Sequence, residues 1–269
     1  MTGAVTRQHS SVRRYRELAR IPAANGVDRE LLLDGLHLLS EAHASGITIE
    51  SAAFDHAALD DAGTRALADR LSANGTEVLI VSRNVLEAMS PVRTPTGSVG
   101  IARRALVPVD KVMRGRSSRA PLVVIAYDVQ DPGNVGGIVR SAEAAGATAF
   151  VASARTADPF SWKALRGSMG SALRLPIART SLEDTLREAR KAGLAIAALV
   201  PRGGSPFFEI DFRKPTALLL GGEGAGLAEE LAHAADHQVS IPMHGPVESL
   251  NVGVAAALVL YEAFRQRHP

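Results

Sequence analysis

Cysteine is absent from this chain of 269 residues. Its absence excludes disulfide frameworks, thiolate metal sites and cysteine nucleophiles, and it is compatible with a reducing compartment. Long apolar runs are also missing, since the longest, from Val254 to Tyr261, is far shorter than the roughly 20 residues that span a bilayer. Residues 1–20 are polar and arginine-rich and lack the apolar segment of a secretory signal. Together these absences predict a cytoplasmic protein that does not enter the membrane.

The residues that are present give the composition of an ordinary globular protein, with 46% hydrophobic and 22% charged residues. The length predicts two domains at the usual size of about 100 to 200 residues each. The net charge of +2 indicates little about partners, but basic residues crowd one stretch whose only acid is Asp110. They are Arg103, Arg104, Lys111, Arg114, Arg116 and Arg119. This basic stretch is either a phosphate-binding surface or a solvated linker.

The apolar pattern divides the chain into two halves. From Glu30 to Arg104, short apolar runs alternate with segments of helical periodicity, which predicts a small α/β domain at residues 1–105. Residues 106–120 have no clear periodicity and carry much of the basic stretch, so we assign them to a linker. The second half alternates continuous apolar runs such as PLVVIAYDV with helical patterns. Such runs form strands buried on both faces of a parallel sheet, so residues 121–269 are predicted to be a doubly wound α/β domain.

Three segments of the second half place glycines or small polar residues where a predicted strand gives way to a helix. Ligands of open parallel sheets bind at such strand ends. The first segment is DVQDPGNVGGIVRSA, residues 128–142, in which Asn134 is predicted to cap the helix. Arg140 lies roughly 140° around the helix from Val135 and is therefore off its apolar stripe. Taken alone, this segment is equally compatible with a capped helix that carries a solvated arginine.

The second segment is LLLGGEGAGL, residues 218–227, which runs from a buried strand into a glycine-rich turn. Glycines permit close approach of the backbone to a ligand. A Rossmann-type nucleotide enzyme is the first alternative, but its fingerprint requires an early G-x-G-x-x-G turn with an acid about 20 residues further on. Here the turn comes late and contains its acid, Glu223, so hydride transfer is disfavoured.

The third segment is IPMHGPVESLNVGV, residues 241–254. Ser249 is predicted to cap the last helix, with Asn251 in the first turn. The apolar stripe of that helix is predicted at Leu250, Val254, Leu258 and Tyr261. A cap does not account for Asn251, because asparagine is a poor residue for a helix interior.

In this order, the three segments resemble the signature motifs of the SpoU (TrmH-like) branch of the SPOUT RNA methyltransferases. The resemblance covers residues 121–265 and includes LRGSMGSALRLP at residues 165–176. The amino-terminal half is similar in pattern to the ribosomal-protein-like substrate-binding domain of many rRNA-directed members. The family implies a parallel-sheet α/β domain with a trefoil knot, an S-adenosylmethionine pocket formed in the knot, and a homodimer through this domain whose active sites use both subunits.

The resemblance also assigns functions to individual residues. The positions that match the catalytic motifs are Asn134, Arg140, Glu223, Ser249 and Asn251. The cofactor is expected against Val200, Pro201, Gly221, Gly222, Glu223, Gly224, Gly226, Ile241, Met243, Ser249, Leu250 and Asn251. Because a guanidinium is always protonated, Arg140 is a poor general base. We interpret it as an electrostatic anchor for the target phosphate and the developing alkoxide, with the polar residues of the motifs orienting the reacting group.

RNA is the expected substrate, and rRNA is favoured over tRNA because the chain carries the additional amino-terminal domain. The residues expected to contact RNA are Arg103, Arg104, Arg114, Arg116 and Arg140. A tRNA methyltransferase and a noncatalytic RNA-binding module on the same fold are the alternatives. His233 and His237 are spaced like metal ligands on one helix, but no third ligand accompanies them, so no metal is predicted. The single tryptophan, Trp162, is either part of the core or a base-stacking platform.

Overall fold

The chain forms two compact units. The computed structural model describes residues 9–20, 28–115, 120–224 and 226–268. One unit consists of Met1–Ala105 and Phe160–Arg174, and the other of Leu106–Pro159 and Leu175–Pro269. Arg116 and Arg119 of the basic stretch lie outside the described residues. Within the described ranges, no helix combines the length and the apolar character needed to cross a membrane.

Helices and strands alternate along most of the described residues. In chain order the strands are β1 (Asp28–Asp34), β2 (Thr48–Asp55), β3 (Glu77–Val81), β4 (Ser98–Ala105), β5 (Leu122–Ala126), β6 (Ala149–Ser153), β7 (Ile177–Thr180), β8 (Ala195–Leu199), β9 (Ser205–Pro206), β10 (Thr216–Leu220) and β11 (His237–Ser240). The helices are α1 (Ser10–Arg20), α2 (Leu36–Ala44), α3 (Ala62–Ala73), α4 (Arg83–Met89), α5 (Val109–Arg114), α6 (Pro132–Ala144), α7 (Trp162–Ser168), α8 (Ser171–Arg174), α9 (Leu182–Lys191), α10 (Glu229–His233) and α11 (Val252–Arg267).

The first unit is built on a four-stranded sheet with the order β1-β4-β2-β3. Strand β4 pairs antiparallel with β1 and β2, while β3 pairs parallel with β2. Each strand coincides with an apolar run of the sequence, so the predicted small α/β domain is confirmed. Val12 and Tyr15 of helix α1 are buried against this sheet and α4.

The segment Phe160–Arg174 belongs to the first unit, although the sequence on both sides of it belongs to the second. Helix α7 packs against β1, and Arg166 forms an ion pair at 3.2 Å with Asp34, whose side chain is only 4% exposed. Trp162 packs against the apolar core of the first unit, with Lys163 Nζ 5.5 Å from the centre of its ring. These contacts favour the core interpretation of the tryptophan. The sequence predicted one domain boundary and did not predict that Phe160–Arg174 belongs to the first unit.

The second unit contains a seven-stranded sheet with the order β7-β6-β5-β10-β8-β11-β9. All neighbouring strands in it are parallel. Strands β5, β6 and β10 are buried along their whole length, as continuous apolar runs predict. The predicted parallel α/β domain is therefore confirmed. Because parallel strands end at the same edge of a sheet, the neighbours β10, β8 and β11 present their carboxyl ends side by side.

The predicted linker at residues 106–120 contains helix α5. Val112 and Met113 of this helix are buried in the core of the second unit, together with residues of β5, β6 and β10. The helix has six residues, fewer than two turns, so it is too short to produce a recognisable apolar period. Lack of periodicity is therefore a poor guide to short packed helices.

The last turn of α11 is tied to the sheet edge at which β5 and β10 begin. The Arg267 guanidinium donates to four backbone carbonyls, those of Ala120 at 2.6 Å, Phe212 at 2.7 Å, Lys214 at 3.0 Å and Pro121 at 3.3 Å. Burial lowers the pKa of Arg267. Carbonyl dipoles thus stabilise the charge and anchor the end of the helix.

Arg267→Ala is expected to lower the free energy of unfolding by about 2 to 4 kcal/mol, because four carbonyls lose a charged donor. Urea unfolding followed by circular dichroism measures this change. Arg265→Ala is the matched control, since Arg265 is exposed in the same turn and pairs with Glu262 on its own helix. Its loss is expected to change the free energy of unfolding far less, because an exposed ion pair contributes little to stability. Equal effects of the two substitutions would contradict the anchoring role.

Candidate active site

A cavity of about 350 Å³ lies at the carboxyl ends of β8, β10 and β11. Its wall is formed by the segments that follow these strands and by the start of α11. All residues predicted to contact the cofactor line it, namely Val200, Pro201, Gly221, Gly222, Glu223, Gly224, Gly226, Ile241, Met243, Ser249, Leu250 and Asn251. The lining residues that were not predicted are Leu199, Leu220, Val252 and Ala255. The first two end β8 and β10, so extending the strand-end rule by one residue would have found them.

The turn that follows β10 requires glycine at two positions. A Cβ on Gly222 would lie 2.1 Å from the carbonyl oxygen of Asp128. A Cβ on Gly221 would lie 2.5 Å from the carbonyl carbon of Gly226. Gly222 and Gly226 also form an isolated antiparallel bridge. The closed turn therefore holds Glu223 between two bridged glycines.

Side chains from all three motifs meet in one hydrogen-bonded network beside the cavity. Asn134 Nδ2 donates to Glu223 Oε1 at 2.7 Å, and Asn251 Nδ2 donates to Asn134 Oδ1 at 3.0 Å. The backbone N–H of Gln130 donates to Glu223 Oε2 at 3.1 Å. The network thus brings together three of the five residues that the sequence assigned to catalysis.

The negative charge of Glu223 determines which groups donate and which accept in this network. Burial alone would raise the pKa of Glu223, but hydrogen bonds from Asn134 and from backbone N–H groups lower it further, so the pKa lies below its ordinary value. Glu223 is therefore ionised at neutral pH, and a carboxylate only accepts hydrogen bonds. The Asn134 amide must turn its NH₂ group toward Glu223, which leaves Oδ1 to accept from Asn251. Because a carboxylate of low pKa is a weak base, Glu223 suits an orienting role better than proton abstraction.

The cap of α6 differs from the predicted one. Asp131 caps the helix, because its carboxylate accepts from the backbone N–H of Asn134 at 2.8 Å. Pro132 occupies the first helical position, where its missing N–H has no cost. The prediction that Asn134 caps the helix is therefore wrong by three residues. This shift leaves the Asn134 side chain free of capping and available to Glu223.

The cap of α11 is Asn251 rather than the predicted Ser249. Asn251 Oδ1 accepts from the backbone N–H groups of Gly253 at 2.9 Å and Val254 at 3.3 Å. Its Nδ2 group still donates to Asn134, so one side chain both begins the helix and joins the network. Ser249 precedes the helix and lines the cavity.

Arg140 is not brought to the network of its own chain. It is exposed on α6, while Val135 and Ile138 of the same helix are buried. It follows Asn134 by six residues, about 9 Å along the helix axis. The cavity wall, as far as the described residues form it, does not include Arg140. The prediction that this residue lies off the buried stripe is confirmed.

Two of the arginines expected to contact RNA interact within the first unit. Arg103 pairs with two carboxylates, those of Glu30 and Glu50. The Arg104 guanidinium lies 5.9 Å from the centre of the Phe160 ring. The two carboxylates offset the charge of Arg103, and the contact with Phe160 restricts the side chain of Arg104, so these two are weaker candidates for binding phosphate than the sequence indicated.

The remaining predicted positions fall in two further places. Arg114 is exposed at the end of α5. His233 ends α10, whereas His237 begins β11. The prediction that both histidines lie on one helix is wrong, so the spacing that suggested a metal site is not realised.

The chain matches the SpoU rRNA Methylase family over residues 121–261. It is 38% identical over 239 residues to an uncharacterized tRNA/rRNA methyltransferase from a Synechocystis strain, a match that covers 88% of this chain and 85% of that protein. It is 33% identical over 231 residues to the 23S rRNA (guanosine(2553)-2′-O)-methyltransferase RlmP from Bacillus subtilis, with 86% of each protein covered.

A solved structure supports the same relationship. The rRNA methyltransferase from Sinorhizobium meliloti with bound AdoMet (S-adenosylmethionine) superposes with a TM-score of 0.83 at 30% sequence identity, covering 97% of both chains. The match therefore includes the amino-terminal sheet as well as the parallel sheet that carries the cavity. The three motifs, the family match and relatives that align with most of the chain agree, and the chain belongs to the SpoU family of rRNA methylases.

Proposed function

We propose that this protein is a cytoplasmic, homodimeric RNA 2′-O-ribose methyltransferase that uses S-adenosylmethionine and acts on rRNA. The observation that carries the proposal is the network of Asn134, Glu223 and Asn251 beside a glycine-walled cavity. The activities of the relatives support the chemistry, because RlmP is a 2′-O-methyltransferase of 23S rRNA and the Sinorhizobium meliloti enzyme binds AdoMet.

The cavity fits S-adenosylmethionine in size and in the groups it offers. Its volume of about 350 Å³ falls among ligand pockets, which measure about 300 to 1,000 Å³. Val200, Ile241 and Leu250 supply apolar wall for an adenine ring, and the glycines expose backbone groups for hydrogen bonds. The ionised Glu223 complements a cationic ligand. When bound, the cofactor supplies a methyl group attached to positively charged sulfur.

The outward face of α11 supports the homodimer. Apolar side chains that are 37% to 52% exposed follow one another along this face, at Val254, Leu258, Tyr261 and Phe264. The opposite face is buried through Ala256, Val259, Leu260 and Ala263. The stripe predicted from the sequence is therefore largely the solvent-facing one. Contiguous exposed apolar surface of this kind marks protein interfaces, and we assign a second copy of this chain to it, as the family resemblance implies.

In the proposed dimer, Arg140 of one subunit faces the active site of the other. Helix α6 packs against α11 and carries Arg140 exposed, so this residue lies on a helix that borders the apolar stripe. In the proposed dimer, Arg140 of the partner subunit completes each active site. The trefoil knot likewise stays a prediction of the resemblance.

In the proposed reaction the protein binds the reactants, orients the ribose and stabilises the charge that develops on it. The ribose 2′-oxygen bonds to the methyl carbon as the carbon–sulfur bond breaks, and the hydroxyl proton passes to a neighbouring phosphate oxygen. A neutral hydroxyl is a weak nucleophile, so a cation beside it stabilises the negative charge that develops. Arg140 of the partner subunit supplies that cation. Asn134 and Asn251, fixed by Glu223, orient the reacting ribose.

Selection of rRNA is assigned to the first unit together with the basic stretch. Lys111 and Arg114 are the exposed members of that stretch on α5, and Arg116 lies outside the described residues. The ion-paired Arg103 is expected to contribute more to the sheet than to RNA affinity. A tRNA substrate is the alternative that the substrate test distinguishes.

Leu258→Glu is expected to convert the dimer to a monomer and to abolish methyl transfer, because a charge would be buried where the two copies meet. Light scattering and a methyl-transfer assay measure the two effects. Ile80→Glu is the matched control, since Ile80 is 51% exposed on β3 of the first unit. A Leu258→Glu protein that stays dimeric would contradict the proposed interface.

The ribose assignment is tested with RNA that lacks the nucleophile. Protein incubated with labelled S-adenosylmethionine and unmodified rRNA should yield one 2′-O-methylated nucleoside after nuclease digestion and mass spectrometry, whereas bulk tRNA should yield none. An RNA fragment with a single 2′-deoxy substitution at the mapped nucleotide should bind normally and accept no methyl group. Methylation of the deoxy fragment would identify a base methyltransferase, and methylation of tRNA alone would reassign the substrate.

A further inference from the structure

The turn between β5 and α6 contains a residue with an unusual backbone conformation. Asp128 has a φ of 59°, and among the described residues only one other non-glycine residue, Met169, has a positive φ. This left-handed region disfavours most L-residues and is tolerated best by glycine, asparagine and aspartate. Such a residue persists only where its surroundings fix it, and it occurs preferentially at functional sites.

Hydrogen bonds fix Asp128 to its own turn and to the segment that ends β6. Its backbone N–H donates to Ser153 Oγ at 3.3 Å. Its Oδ1 accepts from Gln130 Nε2 at 3.0 Å, and its Oδ2 pairs with the Arg155 guanidinium at 2.9 Å. Ser153 is the last residue of β6, so the turn is attached to the rigid edge of the sheet. The Asp128 carboxylate therefore holds Gln130 in place.

The same turn supports the glycine-rich turn that carries Glu223. The Asp128 carbonyl oxygen touches Gly222, because a Cβ there would lie only 2.1 Å away. Two residues later, the Gln130 backbone N–H donates to Glu223 Oε2 at 3.1 Å. Gly222 and Glu223, which are consecutive in the glycine-rich turn, therefore both contact the segment from Asp128 to Gln130. Any shift of that segment would move Glu223 and, through it, the amide of Asn134.

We propose that Asp128 is a positioning residue for methyl transfer, acting through Gln130 and Gly222 on the Glu223 network. This proposal depends on the proposed function only because methyl transfer is the reaction that Asp128 is proposed to support. Glycine at this position would permit the backbone conformation without the carboxylate contacts, and alanine would provide neither. Asparagine would tolerate the conformation and keep an acceptor for Gln130. A comparison of aspartate, asparagine, glycine and alanine at position 128 therefore separates tolerance of the positive φ from the contacts of the carboxylate.

Single-turnover methyl transfer at saturating RNA and calorimetry with S-adenosylmethionine test this proposal on full-length protein. Asp128→Gly and Asp128→Ala are expected to slow transfer by about 10-fold to 10²-fold, the range produced by small misplacements of reacting groups, while cofactor affinity falls by much less than the rate. Asp128→Asn should restore most of the rate. Glu183→Ala removes an exposed carboxylate of α9 and should behave like the native protein.

Two outcomes would overturn the positioning role. One is an Asp128→Gly protein that turns over as fast as the native one, and the other is a rate that falls only as far as cofactor affinity falls. Hydrogen exchange at the Gln130 amide gives a readout that does not depend on activity, and it should speed up in Asp128→Gly but not in Asp128→Asn. If native protein methylates no RNA, the proposed function fails, while the exchange comparison still decides whether Asp128 fixes Gln130 against Glu223.

Discussion

Arg140→Ala is expected to transfer methyl groups about 10² to 10³ times more slowly than the native protein while binding S-adenosylmethionine equally well. The cofactor affinity should persist because Arg140 is exposed on α6 and lies outside the described cavity wall. The rate should fall because, in the proposed reaction, Arg140 supplies the charge that stabilises the developing alkoxide. Single-turnover rates at saturating RNA and calorimetry separate these two effects. Arg140→Lys keeps the charge without the planar fork and should retain part of the rate.

Two outcomes with Arg140→Ala would contradict this prediction. Native activity would mean that Arg140 is the solvated helix position that the first motif also permits. Loss of cofactor affinity in proportion to rate would mean that the residue serves the fold of the cavity instead of the reaction.

Gly222→Ala is expected to weaken S-adenosylmethionine binding by about 10-fold to 10²-fold, because an added methyl group would lie 2.1 Å from the Asp128 carbonyl oxygen. That atom belongs to the backbone and cannot rotate away, so the glycine-rich turn must move. Forcing a methyl group into a packed site typically costs about 1 to 3 kcal/mol, which corresponds to this loss of affinity. Methyl transfer should fall at least as much, since Glu223 moves with the turn.

Gly193→Ala separates this steric effect from general destabilisation. Gly193 has a φ of 74° after α9, and a Cβ there would meet nothing within 4 Å. Its replacement strains the backbone and should lower the unfolding midpoint without changing cofactor affinity. If Gly222→Ala bound the cofactor normally, the close contact between the two turns would have no functional consequence.

The two variants also test whether active sites combine two subunits. Each is expected to have little activity alone, because one lacks the cation and the other has a distorted cofactor cavity. In a mixed dimer, however, the Arg140→Ala chain keeps an intact cavity and its Gly222→Ala partner keeps an intact Arg140. Coexpression should therefore restore activity at one of the two sites. If Arg140 served its own chain, the mixture would be no more active than either variant.

Strands and strand-end ligands were the most predictable features. The runs that became β5 and β10 are apolar along their whole length, and burial on both faces of a parallel sheet requires that pattern. The cavity residues could be predicted because the glycine-rich turn and the last motif both follow strands that end at the same edge of the sheet. Their residue types also matched a family whose motifs occur in the same order.

Helix caps and helix faces were predicted less well, for different reasons. Asp131, Asn134, Ser249 and Asn251 are all good capping residues, so propensity alone could not select among them. The apolar residues of α11 are periodic on an outward face, and a period does not reveal whether the surface is covered by the same chain or by another. Both errors fall beside the candidate active site, where side chains serve more than the local helix.

The return of Phe160–Arg174 to the first unit has a consequence for dividing this protein. A fragment cut at the predicted boundary after residue 105 would carry β1 without α7, and the complementary fragment would carry α7 without the strand it covers. Phe160 and Leu165, buried in the whole chain, would then have lost their packing partners in the first unit. The two halves are thus not interchangeable modules. An amino-terminal domain transplanted from a relative would have to bring the matching α7 with it, although that helix is encoded within the methylase half.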